Sequence, residues 1–324
     1  MSGCSLCPRK CGADRTSATG FCGVSRAPRV SLVMRHMWEE PCICGGAGAG
    51  AVFFSGCQLR CVFCQNAALS RGCAGEDISV ARLSEIFAQT AESGVASLDL
   101  VTPTHFTPQI CEALSLVKDR IKIPVVWNSS GYESPETLAM TSGLVDIYMP
   151  DFKFASSAVS LELCGVSDYA ARAAEAVAFM YRQLGPRRYS APAAVRPSPA
   201  APPGPGAAGH APEAPAPLLR RGLLVRHLCL PGRRRDSLEV LRILSETVPP
   251  DGIVLSLMSQ YTPDFYSGSD RALHRRLTTF EYDSVVGAAC DLGFSGYMQS
   301  PGSADSGYTP YFPDRLTVSL TAGL

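Results

Sequence analysis

The run GCQLRCVFCQN places Cys57, Cys61 and Cys64 in a C-x3-C-x2-C array. Three thiolates this close in sequence can hold three corners of a cubane [4Fe–4S] cluster. No fourth cysteine stands at a matching spacing, so one iron would keep an open coordination site. Clusters that only carry electrons ordinarily have four protein thiolates. An open iron points instead to a further ligand bound at the cluster, and so to chemistry. Zinc, the other metal that thiolates favour, takes four protein ligands in closed structural sites. A second set, Cys4-x2-Cys7-x3-Cys11-x10-Cys22, has the four thiols that a closed site needs. Its spacing suits structural zinc or an auxiliary iron–sulfur cluster, and leaves the two open.

Other chemistry-bearing side chains stand where apolar runs give out. Thr102 and Thr104 follow SLDLV, Asn128, Ser129 and Ser130 follow PVVW, and Asp151 and Lys153 follow DIYMP. Asp151 and Lys153 are two apart, so on a strand they face one side. His227 lies within GLLVRHLCL and reads as a core histidine or as a ring facing the same ligand. Glu39 and Glu40, just ahead of the first strand, read as a solvated loop pair with one carboxylate in reach of the site. Phe63, Gln65 and Asn66 flank the last thiol of the array. Cys42 and Cys44 flank Ile43 in a glycine-rich turn without an evident role, and Cys73 reads as incidental. Cys111, Cys164, Cys229 and Cys290 sit in apolar segments and read as small hydrophobes of the core.

These residues need a frame that gathers strand ends. Apolar runs at 51–56, 97–103, 124–128, 145–152, 222–230 and 253–259 read as strands. Between them lie amphipathic stretches such as SVARLSEIFAQTAESG, apolar at every third or fourth position. Near-continuous apolar strands alternating with helices imply parallel pairing with the helices outside. Six such units predict an α/β fold, a partial (β/α)6 TIM-like barrel, with ligands at the C-terminal ends of its strands. Residues 1–45, rich in cysteine and glycine with little periodicity, are expected to form a metal-held extension. The barrel would span 46–300, and 301–324 would be a tail. Residues 186–217 are dominated by Pro and Ala with little to bury. They are expected to form a disordered or polyproline-like insertion between the fourth helix and fifth strand.

Composition narrows the function classes. With 29 basic and 29 acidic residues the chain is formally neutral, which argues against an electrostatic nucleic-acid or membrane partner. Its 324 residues, 46% of them apolar, suffice for one large domain. Fourteen cysteines in so long a chain, crowded towards its start, suit a reducing cytosol where thiols stay free for metal. The opening MSGCSLCPRKCG has no apolar h-region, and no run approaches ~18 apolar residues, so a cytoplasmic chain without leader or membrane span is expected.

Taken in order, CSLCPRKCGADR, GFCG, EEPCICGGAGAGAVFFSGC, CQNAALS, LVTPTHFTPQI, NSSGYE, DIYMPDFK and LLVRHLCLPG carry a resemblance. The chain resembles the radical S-adenosylmethionine (SAM) superfamily, in particular its pyruvate formate-lyase activating enzyme-like group and the PflX-type branch. The likeness runs over nearly the whole chain outside 186–217 and the tail. It implies that SAM completes the open iron through its amino and carboxylate groups. Electron transfer from the reduced cluster would then release methionine and a 5′-deoxyadenosyl radical that abstracts hydrogen. It also implies Phe63 beside the adenine, Asn128, Ser129 and Ser130 on SAM, Lys153 on its carboxylate, and Asp151 on a cation or ribose hydroxyl. Where many relatives carry a GGE-type stretch, this chain reads Thr102-Pro103-Thr104-His105, so the Thr102 and Thr104 hydroxyls and nearby carbonyls are expected on the ammonium. A flavodoxin- or ferredoxin-type reductant is implied, and the suggested substrate is a glycine Cα–H of a glycyl-radical enzyme. Two other readings stay open. The same radical could modify another peptide or a small molecule, or the chain could be a non-catalytic iron–sulfur or zinc protein that carries electrons or scaffolds a partner.

Overall fold

The computed structural model describes residues 3–190, 217–300, 303 and 309–320, and in it the apolar runs become one curved sheet. Among the described residues its strands are β1 (Arg29–His36), β2 (Ala49–Phe54), β3 (Glu76–Asp77), β4 (Ser97–Val101), β5 (Val125–Ser129) and β6 (Ile147–Pro150). The chain continues with β7 (Arg188–Tyr189), β8 (Leu219–Leu228), β9 (Val254–Met258), β10 (Gly296–Met298) and β11 (Thr317–Ser319). The six expected strands are β2, β4, β5, β6, β8 and β9, and they lie side by side in that order, all parallel. β10 extends the row in parallel beyond β9. At the other edge β1 pairs antiparallel with β2, and β11 lies parallel to β1. The row runs from β10 to β11 without closing, so the fold is a partial (β/α)6 barrel with a seam.

Three sequence expectations change. The segment 1–45 is not without regular structure, because Val30, Ser31, Leu32 and Val33 are buried in β1 and share the barrel's sheet. The tail likewise contributes β11. The expected insertion is partly strand, since Arg188 and Tyr189 form β7 against β8. The rest of that expectation, residues 191–216, lies outside the described residues.

Helices follow the strands on the outside. The helix Val80–Glu92 starts where Ser79 accepts a hydrogen bond from the Arg82 N–H, and Leu83, Ile86 and Phe87 form its buried stripe. Thr107–Val117, Tyr169–Leu184, Arg234–Thr247 and Thr279–Asp291 repeat the pattern, the last opened by a reciprocal cap between Thr278 and Glu281. No helix among the described residues is long and apolar enough to cross a membrane.

Alternation sorts each strand between two cores. Val52, Phe54, Leu98, Leu100, Trp127, Tyr148, Leu223 and Val225 pack beneath the helices. The opposite faces, with Ala49, Val126, Ile147, Met149, Leu224 and Val254, fill the barrel interior. The short helix Pro41–Cys44 closes that interior at the strand N-termini. Its Cys42, Ile43 and Cys44 are buried in the inner cluster, and the Ser97 hydroxyl donates to Ile43 O at 3.0 Å. The two cysteines without an evident role in the sequence are part of this seal.

Candidate active site

The inner core stops where polar strand ends begin. After β2, Ser55 and Gly56 turn the chain into the loop that carries Cys57, Cys61 and Cys64. Gly56 has φ +86°, and a Cβ there would stand 2.8 Å from Cys22 O, so only glycine fits without strain. The three thiols line one cavity of about 440 Å³, a size that suits a cofactor or small ligand. Phe63, Thr102, Asn128, Ser129, Ser130, Asp151 and Lys153 line it too, so the structure gathers nearly all the residues expected on the cofactor. Thr104 is the exception. It sits in a buried 3₁₀ turn after β4 and donates to Glu133 Oε1 at 2.7 Å, outside the cavity lining.

All three thiols are shifted upward, towards their protonated form. Burial pushes Cys57 up to about 12. Cys61 is held well above the ordinary range by its hydrogen bond with Cys164 and by burial. Loading metal would release these protons. No three His, Cys, Asp or Glu side chains converge to the grip of a single ion among the described residues. A cubane asks less of the site, because it spreads three thiolates over three irons. Donor chemistry, absence of a fourth thiol in the array and space in front of the loop therefore fit a [4Fe–4S] cluster with a further ligand.

Asp151 and Lys153 face the same side, as their spacing predicts, and form an ion pair. Burial alone would lower the Lys153 pKa, but Asp151 and then Cys61 more than offset it and keep the ammonium charged. Nothing in the sequence marks the group that locks these ends together. The Tyr169 hydroxyl, from the helix Tyr169–Leu184, donates to Ser130 O (2.8 Å) and Asp151 O (2.9 Å) and accepts from the Lys153 N–H (3.0 Å). Gly131, at φ +73°, permits this closeness, since a Cβ there would stand 2.0 Å from Asp151 O. Thr102 has φ +60°, a strained conformation for a β-branched residue, while its N–H donates to Asn128 O at 2.8 Å. Beneath this loop Glu133 is fully buried, and burial raises its pKa to about 7.

Phe63 lies edge-on to Phe154, with ring centroids 6.2 Å apart, and at the same separation from Tyr261. His227 belongs to the opposite face of β8. Its Nδ1 sits 2.7 Å from Phe152 O, and burial lowers its pKa to about 4, so it is a neutral core histidine. Glu39 and Glu40 are not solvated. Their side chains keep 7% and 8% exposure, line the cavity and pair with Arg226 of β8.

Cys4, Cys7, Cys11 and Cys22 lie together behind the loop, close enough for the charge of each of the other three to raise the Cys7 thiol. Cys57 N–H donates to Cys22 O at 3.2 Å, and Arg9 reaches both Gln58 O and Cys164 O. The two cysteine sets therefore share a boundary. Cys164, expected as a small core hydrophobe, is buried but also touches Cys61.

Residues 45–152 match the family model described as a 4Fe-4S single cluster domain, a stretch that contains Cys57, Cys61 and Cys64. Over 172 residues the chain is 29% identical to the uncharacterized protein MJ0674 of Methanocaldococcus jannaschii, covering 51% of this chain and 50% of that one. The chain thus spans about half the length of the curated relative it matches. Among solved structures it is similar to Streptococcus suis SuiB bound to S-adenosylmethionine (12% identity, 86% of this chain and 52% of that one, TM-score 0.44). It is also similar to methylornithine synthase, PylB (12%, 90% and 72%, TM-score 0.45). A radical SAM methyltransferase from Sphaerobacter thermophilus gives 10%, 77% and 65%, with a TM-score of 0.47.

Proposed function

We propose that the chain is a radical SAM enzyme whose Cys57, Cys61 and Cys64 hold a [4Fe–4S] cluster, with SAM seated between that cluster and the strand ends. One observation carries this reading: three thiols without a fourth in their array share a cavity with the polar ends of β4, β5 and β6. The match of residues 45–152 to a single-cluster domain supports it. Bound there, the cluster and SAM would supply one-electron cleavage of a sulfonium and a 5′-deoxyadenosyl radical for hydrogen abstraction. The chain's own residues bind and shield. Lys153 pairs with the SAM carboxylate, and Asp151 takes a cation or a ribose hydroxyl. Asn128, Ser129, Ser130 and Thr102 offer hydrogen bonds to the polar edge, and Phe63 offers a ring to the base. Phe53, Leu69, Val101 and Met258 are apolar walls that keep water from the reacting end.

The resemblance to the activating-enzyme group makes a glycine Cα–H of a glycyl-radical enzyme one donor of the abstracted hydrogen. A flavodoxin- or ferredoxin-type reductant in a reducing cytosol belongs to the same proposal. The Cys4, Cys7, Cys11 and Cys22 set is proposed as a second metal site that steadies the loop through the Cys22–Cys57 contact. Anaerobically reconstituted protein given dithionite and SAM should release 5′-deoxyadenosine. A fully loaded cluster that releases none would falsify the reading.

A further inference from the structure

Arg15 joins the two cysteine sets by a route other than the Cys22–Cys57 contact. It belongs to the N-terminal turns and keeps only 7% exposure. Its Nη1 donates to His105 O and its Nη2 to Ser25 O, and the guanidinium lies 5.3 Å from the centroid of the Phe106 ring. The His105 ring in turn donates from Nε2 to Ser55 O at 2.7 Å. His105 belongs to the 3₁₀ turn that follows Thr102, and Ser55 stands two residues before Cys57. One buried cation thus reaches both strand ends that flank the array.

Two needs of this side chain are unmet. Its Nε–H is enclosed and has no acceptor. Among the described residues its charge meets two carbonyls and a ring, and no carboxylate. A buried cation without a counter-charge is unfavourable. What lies within reach is sulfur. A Cβ added at Gly20 would stand 3.3 Å from Cys22 Sγ, 3.6 Å from Cys11 Sγ and 3.5 Å from Arg15 Cδ, the carbon that bears Nε. Burial raises the Cys22 thiol, and the Arg15 charge opposes that rise. A protonated thiol neutralises nothing. Four thiolates around zinc, or around an oxidised cubane, form a dianion. Such an anion supplies the missing charge and the missing acceptor together.

We propose that Arg15 is the counter-charge and hydrogen-bond donor of a tetrathiolate metal site at Cys4, Cys7, Cys11 and Cys22, and that it transmits the filling of this site to the turn after β4. The inference rests on the second-metal reading of these four cysteines, not on the radical chemistry. With the site filled, a sulfur holds Nε–H on one side while His105 O holds Nη1 on the other. The guanidinium then pins the turn that follows Thr102. With the site empty, Arg15 keeps its carbonyls and loses that anchor. Arg15 is thus a positioning residue for the β4 end of the cavity.

Hydrogen exchange of the Cys57/Cys61/Cys64 triple Ala variant, loaded and empty, tests this, because any metal it holds belongs to the N-terminal set. Elemental analysis of the loaded chain identifies that metal as zinc or iron. Loading should slow exchange across residues 102–107 by about tenfold. Adding Arg15→Met should remove that difference and speed loss of the metal to a chelator by about tenfold. The amides of the helix Arg234–Thr247 should exchange alike in every case. A merely structural Arg15 would loosen 102–107 equally with and without metal, and that result overturns the coupling. Exchange at 102–107 that ignores metal while Arg15 is present overturns it too. An N-terminal set that takes up neither zinc nor iron overturns the site itself, so the two failures are told apart. Where Arg15→Met fails to fold, Arg15→Lys replaces it. Lysine keeps the charge but lacks the fork that spans sulfur and His105 O, and should lose the difference as well.

Discussion

Cys57, Cys61 and Cys64 stand on a loop with open space before it, whereas Cys4, Cys7, Cys11 and Cys22 stand on turns that close on themselves. In the second set the backbone bonds are local. Cys4 N–H donates to Ala13 O, Gly12 N–H to Cys4 O, and Lys10 N–H to Cys7 O, all within 3.0 Å. The first set has one local bond, from Cys64 N–H to Cys61 O, and is otherwise tied to other segments, Cys57 donating to Cys22 O and Val62 to Leu163 O. A loop fixed from behind by other segments can leave its thiols facing a ligand. A turn that fixes itself holds its thiols against one another instead. Chemistry here follows free volume rather than the number of cysteines.

The sharpest way to break this contrast is to empty one set and watch the other. Cys61→Ala should remove the brown absorbance near ~400 nm and abolish SAM cleavage. A Cys57/Cys61/Cys64 triple Ala variant should keep metal in the N-terminal set, and elemental analysis will say whether it is zinc or iron. Loss of all metal from the triple variant would mean that the sets fill as one site. A smaller effect tests their boundary. Gly56→Ala would force a Cβ to within 2.8 Å of Cys22 O at a left-handed φ, and should lower iron at the array several-fold. Unchanged iron would show that the N-terminal turns do not brace the loop.

The smallest effect lies beneath the neighbouring loop. Glu133 holds its proton to about 7 in the folded chain, against an ordinary value near 4.5. Between those values the folded state binds more protons than the unfolded one, so stability falls as pH rises through the window. The full loss above about 7 is on the order of 3 kcal/mol. Glu133→Gln should flatten that fall, read as urea midpoints at about pH 5 and about pH 8. An equally steep fall in the variant would assign it to other groups.

The parallel strands and the cavity residues were legible because each carries a local signal: an apolar run, then polar residues at its end. β1 was missed although RVSLVMRH has a strand's composition, because the cysteines around it suggested an irregular cap. β10 and β11 have three residues each, too few for any period. The pairing of Glu40 with Arg226 was hidden for another reason. The two stand 186 residues apart, and only the closing of the barrel brings them together. A hint did exist, since Asp99 in SLDLV and Arg226 in GLLVRHL are single charges inside strands buried on both faces. Such charges need partners. Tyr169 left no comparable trace, being one aromatic among many on an amphipathic helix.

The unclosed seam between β10 and β11 has a consequence for the size of what is modified. Trp38 and Met298, 59% and 65% exposed, line the cavity from either side of it. On the proposed reading, a flank left open among the described strands would let one group of a larger molecule reach inward while the rest stays outside. The reacting carbon and the bulk of the molecule that owns it need not share a compartment.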